Sequence, residues 1–302
     1  MGEPVDTHID PEKCVGCGLC IPVCPRDTIS MVGEVAKVTG DQSIGCGHCV
    51  AACPEGAITV GFTDPSACNL VSIESDDEYV QPGDFDAKAL VRLMRSRRSC
   101  RNYLEKPVSL EILQDLVKIG ITAPSGTNSQ AWTFTLVPNR DSVLSLGRAV
   151  AEFFRGLNRK AENPALRVLA KLFMKDALGE YHRDYYPTVK ERLRQFDEEG
   201  RDSLFHGAPA LILVGSTPEA STPIEDALLA SGNIGLAAHA MGLGTCLIGF
   251  AVEAIRHEAA VRRLIKLPRG EKIHAVITVG YPNEEYAKPA ERKRVEPRVL
   301  AL

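Results

Sequence analysis

Apolar positions along the chain fall into three regimes. In residues 5–62 they come as short runs broken by Gly, Pro and Cys. Two of these runs, Thr28–Met31 and Ala57–Val60, each follow a Cys-Pro corner, and short strands are predicted there. From Asp64 to Asp86 no period persists, and acidic residues, Ser and a Pro-Gly turn predict a linker. Beyond Asp86 the period becomes helical. Ala89, Leu90, Leu93 and Met94 recur at helical spacing, and Ser109 caps a second helix carrying Ile112, Leu113, Leu116 and Val117. Strands are predicted at Thr133–Val137 and within 274–282, with a helix, a Gly-rich turn and a strand across 230–250. Charged helical stretches at Phe153–Lys175 and Val189–Glu198 flank an aromatic cluster of Tyr181, Tyr185 and Tyr186. The chain divides into a small unit at 1–63, a linker at 64–87 and a larger α+β unit at 88–302.

Composition adds a second asymmetry. The 302 residues carry a net charge of −4, too little basic excess to invite nucleic acid. Residues 1–80 hold three Lys and Arg against thirteen Asp and Glu, so the small unit is strongly acidic. That acidity either keeps it soluble or steers a basic electron donor. No membrane span is predicted: the least polar stretch, Ala227–Val252, contains Ser231, Asn233, His239 and five glycines. The N-terminus has no basic segment followed by an apolar one, so a cytoplasmic, reducing compartment is expected. Clustered cysteines there are metal ligands rather than disulfides.

Seven of ten cysteines lie between Cys14 and Cys53. Cys14, Cys17, Cys20 and Cys24 follow the spacing C-x2-C-x2-C-x3-C-P, with Pro25 after the last. A zinc site would pair one C-x2-C with a distant second pair. Here three closely spaced thiolates wrap three irons of a cubane, and Gly16 and Gly18 let backbone N–H groups approach its sulfides. The pattern repeats 29 residues on, with Cys46, Cys49 and Cys53 in the places of Cys17, Cys20 and Cys24, and Ser43 in the place of Cys14.

Residues 5–62 resemble the two-cluster bacterial ferredoxin family. The resemblance implies that Cys14, Cys17, Cys20 and Cys53 hold one [4Fe–4S] cluster, and that Cys46, Cys49, Cys24 and residue 43 hold the second. A serine hydroxyl gives up its proton far less readily than a thiol, whose pKa is near 8.5. Four outcomes stay open for the second site: a [4Fe–4S] cluster with serine or water at one iron, a [3Fe–4S] cluster, recruitment of Cys68, or no cluster. His48, between two ligand cysteines, is expected to face solvent.

In the larger unit the first helix ends in Arg95-Ser96-Arg97-Arg98-Ser99-Cys100-Arg101, where guanidinium forks suit a phosphate. About 25 residues on comes Ala123-Pro124-Ser125-Gly126-Thr127-Asn128-Ser129-Gln130-Ala131-Trp132. Together with 206–214, 230–250, 274–282 and Arg292-Lys293-Arg294-Val295-Glu296, these segments resemble the nitroreductase family of flavin mononucleotide (FMN) enzymes over residues 88–298. The resemblance implies a three-layer α-β-α fold in an intertwined homodimer, with the flavin at the interface. It implies that Arg97, Arg98, Ser99 and Arg101 hold the FMN phosphate and ribityl chain, with Arg292 returning to the phosphate. Ser125 and Gly126 would pack on the cofactor, Asn128 would lie near the ring and Thr127 near the substrate. Leu247, Ile248 and Gly249 would present backbone to the ring. Ala131 stands where that family usually has proline.

The two halves together predict an iron–sulfur flavoprotein oxidoreductase. Clusters move single electrons, and FMN converts them to a hydride for a nitroaromatic, quinone or activated alkene. The external donor would be a low-potential, ferredoxin-like protein or NAD(P)H. A dehalogenase of iodotyrosine type and a carrier with no substrate of its own are the alternatives. No side chain is assigned as acid, base or nucleophile.

Overall fold

The computed structural model describes residues 5–74, 78–173 and 176–301. Residues 75–77 of the expected linker and Lys175 at the end of an expected helical stretch lie outside the described residues.

The cysteine-rich segment folds around two antiparallel strand pairs. β1 (Thr7–Ile9) pairs with β4 (Ile58–Val60), and β2 (Ile29–Val32) pairs with β3 (Val35–Val38), while α1 (His48–Ala51) is a single turn between them. Both predicted strands after the Cys-Pro corners are present. Ile29, Ala36, Ile58 and Val60 form a small core with Cys20 and Cys49. A core this small holds little apolar area, so bound metal is the expected source of much of this unit's stability.

The expected linker is not free of the rest of the chain. The backbone N–H groups of Val71 and Ser72 and the Ser72 hydroxyl donate to Asp115 Oδ2 at 2.8, 2.6 and 2.7 Å, and Lys118 Nζ donates to the Asn69 carbonyl at 2.6 Å. Asp115 itself is fully buried. Burial alone would raise its pKa, but the Ser72 hydroxyl, the two N–H groups and Lys118 outweigh burial and hold the carboxyl at about 2, below its ordinary 3.8. A carboxylate lowered in the folded state contributes anchoring in full above 3.8, and that anchoring fades as pH falls through about 2. Pepsin cleavage within 64–86 should therefore accelerate from pH 4 to pH 2 in the native chain. In Asp115→Asn it should be fast throughout that range.

The larger unit is built on a four-stranded sheet in the order β5-β6-β8-β7, all pairs antiparallel, from β5 (Trp132–Val137), β6 (Ala210–Ser216), β7 (Gly244–Leu247) and β8 (Lys272–Gly280). Side chains alternate across it. Leu211, Leu213 and Val276 enter one core, while Ala210, Ile212, Val214, Ala275 and Ile277 enter the other. A bulge opposite Val214 and Gly215 skips His274, which puts Ile273 on the same side as Val276.

Two helical layers cover these faces. One contains α3 (Leu110–Gly120) and α8 (Pro223–Ala240), and the other contains α4 (Arg140–Glu162), α9 (Gly249–His257) and α10 (Ala259–Leu264). The result is the predicted α-β-α sandwich. α2 (Ala87–Ser96), capped by Asp86, lies outside both cores and buries no side chain. The charged stretch expected at Phe153–Lys175 is two helices. Pro164 cannot donate to a continuing helix, so α4 ends at Glu162 and α5 (Pro164–Phe173) starts afresh. α6 (Ala177–Asp184) and α7 (Tyr186–Glu199) follow.

Candidate functional site

Two cysteine-lined cavities open in the small unit. Cys14, Cys17, Cys20 and Cys53 line the first, with Gly18 and Ala57. Cys24, Cys46, Cys49 and Ser43 line the second, with Arg26, Gly47 and His48. The crossed sharing, in which each run lends its last cysteine to the other cavity, is thus laid out by the fold. Cys68 is exposed and does not line the second cavity, and Ser43 Oγ accepts the Gly45 N–H at 3.0 Å beside it.

Three of the sulfurs accept backbone N–H groups, an arrangement that favours the thiolate form. Thr28 N–H donates to Cys24 Sγ at 3.3 Å, Ala57 N–H to Cys53 Sγ at 3.3 Å and Ala36 N–H to Cys14 Sγ at 3.4 Å. At Cys24 burial pushes the thiol up, but hydrogen bonds from the Thr28 side chain and from neighbouring backbone N–H groups outweigh it and lower the pKa. Burial raises Cys20, with a further push from neighbouring Cys14, Cys17 and Cys53; it raises Cys49 likewise, beside Cys46 and Cys24. Among the described residues no three His, Cys, Asp or Glu converge on a point that would hold a single metal ion. An ion bonded at about 2.3 Å would draw its sulfurs almost into contact. The thiols instead ring a void, which suits a multi-iron cluster.

On the larger unit the basic segment after α2 runs beside β7. Ser99 bridges to Thr245 in parallel register, and Cys100 N–H donates to the Thr245 carbonyl at 2.9 Å. The Arg97 side chain crosses α8 at Gly235, where an added Cβ would stand 3.7 Å from Arg97 Cδ. Among the described residues Arg97, Arg98 and Arg101 form no ion pair, so three guanidinium charges are left without a carboxylate. Arg97 and Arg101 are thus free to take an anion. Two and four residues past Thr245, Leu247 at the end of β7 and Gly249 at the start of α9 lie exposed, and a Cβ at Gly249 would meet open space.

Neighbouring glycines differ in cause. Gly242 takes φ +78° to end α8, whereas Gly244 lacks room, since its Cβ would lie 2.7 Å from Cys100 Sγ.

Not every expected residue joins this array. Ile248 is buried in the core and its N–H is taken by the Val276 carbonyl at 2.8 Å, so its neighbours Leu247 and Gly249 alone offer open backbone. Arg98 lines a different cavity of about 750 Å³ on the flank of α2, with Lys88, Arg92, Arg95 and Tyr286. The Arg292 guanidinium bonds to the Ala290 and Glu291 carbonyls in an exposed tail. Of the aromatic cluster, Tyr181 hydrogen-bonds to Asn158 and Tyr186 to Glu162. Tyr185 is half exposed and meets Phe250 edge-on at 6.1 Å, next to Gly249.

The Ser125–Gln130 loop is clamped onto the start of α8. Gly126 N–H and the Thr222 hydroxyl donate to buried Asp226 Oδ1 at 2.9 and 2.7 Å, and Thr127 shares a 2.6 Å hydrogen bond with Ser221. A side chain at Gly126 would strike Thr222 Oγ1 at 2.2 Å. Ser125 Oγ accepts the Gln130 N–H within the loop. Asn128 turns the other way, and its Nδ2 donates to the carbonyls of Ile44 and Gly45 at 3.0 and 3.1 Å, beside the second cysteine cavity. Nothing in the sequence alone marks Asp226, Thr222 or Gly235 as site residues. The Thr-Pro-x-x-Asp pattern at 222–226 does mark a helix start, yet nothing local ties it to a loop about a hundred residues earlier.

Comparison with known proteins places both halves. The nitroreductase family model matches residues 94–281, and models of a 4Fe-4S binding domain match residues 7–30 and 44–56. A protein named NADH dehydrogenase from Thermus thermophilus is 28% identical over 205 residues, covering 68% of this chain and 91% of that protein. An iodotyrosine deiodinase from Thermotoga neapolitana is 25% identical, covering 67% and 92% respectively. The crystal structure of a nitroreductase with bound FMN from Desulfitobacterium hafniense superposes with a TM-score of 0.50 at 22% identity, covering 68% of this chain and 93% of that one, and thus shares its fold. This chain belongs to the nitroreductase family, with two 4Fe-4S binding segments preceding the family domain.

Proposed function

We propose that the protein is an FMN-dependent oxidoreductase in which iron–sulfur clusters deliver electrons, one at a time, to a flavin that reduces a small aromatic or quinoid acceptor. The observation that carries this reading is a basic segment without carboxylate partners beside the open start of α9, in the same chain as two sulfur-ringed cavities. FMN is the cofactor named for the D. hafniense structure, and when bound it supplies the exchange between single electrons and hydride. Arg97 and Arg101 hold its phosphate end and Ser99 its sugar chain. The backbone at Leu247 and Gly249 faces the ring. Gly126 is clamped by Asp226, which lies nine residues along α8 from Gly235, about 14 Å along the helix axis, a span that suits an elongated ligand with one anionic end.

Tyr185 and Phe250 form an aromatic wall next to Gly249 and favour a planar acceptor. Protons come from water, since no side chain is assigned to move them. Tyr185→Ala should raise KM for a nitroaromatic about three- to tenfold, the worth of one aromatic pair, with little change in kcat.

The second cluster site takes Ser43 as its fourth residue. A homodimer is part of the reading: α2 exposes Leu90, Val91 and Met94, and the tail exposes Val295, Val299 and Leu300. Among the described residues no helix is long and apolar enough to cross a membrane.

The test is anaerobic purification with iron, sulfide and flavin quantified, followed by turnover of nitroaromatic and quinone acceptors with reduced ferredoxin or NAD(P)H. About eight irons per chain indicate two cubanes, about seven a three-iron second cluster, and about four a single cluster. Full cofactor loading without turnover of any acceptor would favour a carrier instead.

A further inference from the structure

The two cysteine cavities differ in what surrounds them. Cys17 of the first is exposed, flanked by Val15 and Leu19, whose side chains also face solvent. In the second, Cys24, Cys46 and Cys49 are each at least partly covered. The loop that carries Ser43 and Cys46 is where the small unit meets the Ser125–Gln130 loop. There Asn128 donates to two consecutive carbonyls, and the second, Gly45, is one peptide link from ligand Cys46.

Both sides of this contact are set by unusual backbone. Gly45 sits at φ +55° with the Phe62 ring against its Cα, where a Cβ would overlap the ring at 1.5 Å. Across the seam Thr127, Asn128 and Gln130 all have positive φ, at 52°, 57° and 46°. Left-handed backbone at three non-glycine residues within four positions is costly and persists only where surroundings enforce it. From that backbone Asn128 Nδ2 donates to the carbonyls, and the Thr127–Ser221 and Gly126–Asp226 bonds tie the loop to the start of α8.

We infer that the second cluster is the one that passes electrons to the flavin, and that Asn128 is the positioning residue that seats its Ser43–Cys46 loop against the flavin-side loop. The inference rests on the proposed function and adds direction to it. An external one-electron donor reduces the solvent-facing first cluster, the first reduces the second, and the second reduces FMN. Each transfer oxidises the giver by one electron. Two transfers, with protons taken from water, bring FMN to its two-electron reduced state.

Asn128→Asp is the informative substitution. It is isosteric and tolerates positive φ, yet sets a carboxylate oxygen in place of the donor, facing two carbonyl oxygens. Asn128→Gly keeps the backbone freedom and removes the donor without adding charge. With holoprotein in anaerobic rapid mixing against dithionite-reduced ferredoxin, cluster bleaching and flavin bleaching are followed separately, and hydrogen exchange is measured at residues 43–47. Both variants should show cluster reduction at the native rate, flavin reduction slowed at least tenfold, and faster exchange at 43–47.

Native-rate flavin reduction in both variants would overturn the inference, as would loss of flavin from either variant, because Asn128 would then belong to the flavin site alone. If the native protein itself reduced its clusters but never its flavin, the proposed function would fail first, whatever the variants did.

Discussion

Cys53→Ala is expected to remove the first cluster, although Cys53 lies in the second cysteine run. Cys24→Ala is expected to remove the second, although it lies in the first run. Cys53 lines the cavity of Cys14, Cys17 and Cys20, while Cys24 lines that of Cys46, Cys49 and Ser43. Each substitution should lower iron by about three to four per chain and abolish flavin reduction by ferredoxin. EPR of the reduced protein tells the two apart, because the surviving signal differs. Cys53→Ala should leave only the site with the serine; Cys24→Ala should leave only the all-cysteine one. Identical residual spectra would mean that the cavities do not correspond to separate clusters. Since Ala57 N–H loses its sulfur partner in Cys53→Ala and Thr28 N–H in Cys24→Ala, each variant should also be less heat-stable.

The second large effect is expected at Arg97. Its guanidinium has no carboxylate partner among the described residues and its aliphatic stem crosses Gly235, so removal should cost little in the empty protein and much in the loaded one. A charge-assisted hydrogen bond to phosphate is worth about 1.5–3 kcal/mol, so Arg97→Ala should weaken FMN binding by roughly 10- to 150-fold, measured by flavin fluorescence on titrating the apoprotein. Gly235→Leu tests the same cradle from the other side. Its branched side chain would push Arg97 aside, and FMN affinity should fall although no charge is lost. Arg292→Ala should weaken binding less than Arg97→Ala, because the structure keeps Arg292 bonded within its own tail.

Much of this architecture is legible in the sequence wherever a rule is local. The 29-residue repeat of cysteines locates both cavities, and the unbroken apolar run Ala210–Val214 falls on a strand packed between two apolar layers. Ser43 stands out because it breaks a repeat. What stays hidden depends on partners far away in the chain. Asn128 sits in a motif that resembles flavin-binding segments, yet its amide turns to Ile44 and Gly45, over eighty residues earlier. Asp115 looks like one more polar position on an amphipathic helix, but it is buried because residues 71–72 lie over it. Gly235 reads as an ordinary small residue on α8 until Arg97 is seen crossing it. In each case the deciding contact joins segments that no window of neighbouring residues contains.

The absence of any buried side chain in α2 has a consequence for how the enzyme responds to its own concentration. An isolated ten-residue helix is marginal in water, and α2 packs on α8 of its own chain with only part of its surface, so in the proposed homodimer the partner would supply the rest of its cover. Because α2 leads directly into Arg97, the proposed dimer and cofactor site together predict that cofactor retention depends on mass action between protomers. Dilution should loosen this arm and release the prosthetic group together, and the melting temperature should climb with protein concentration.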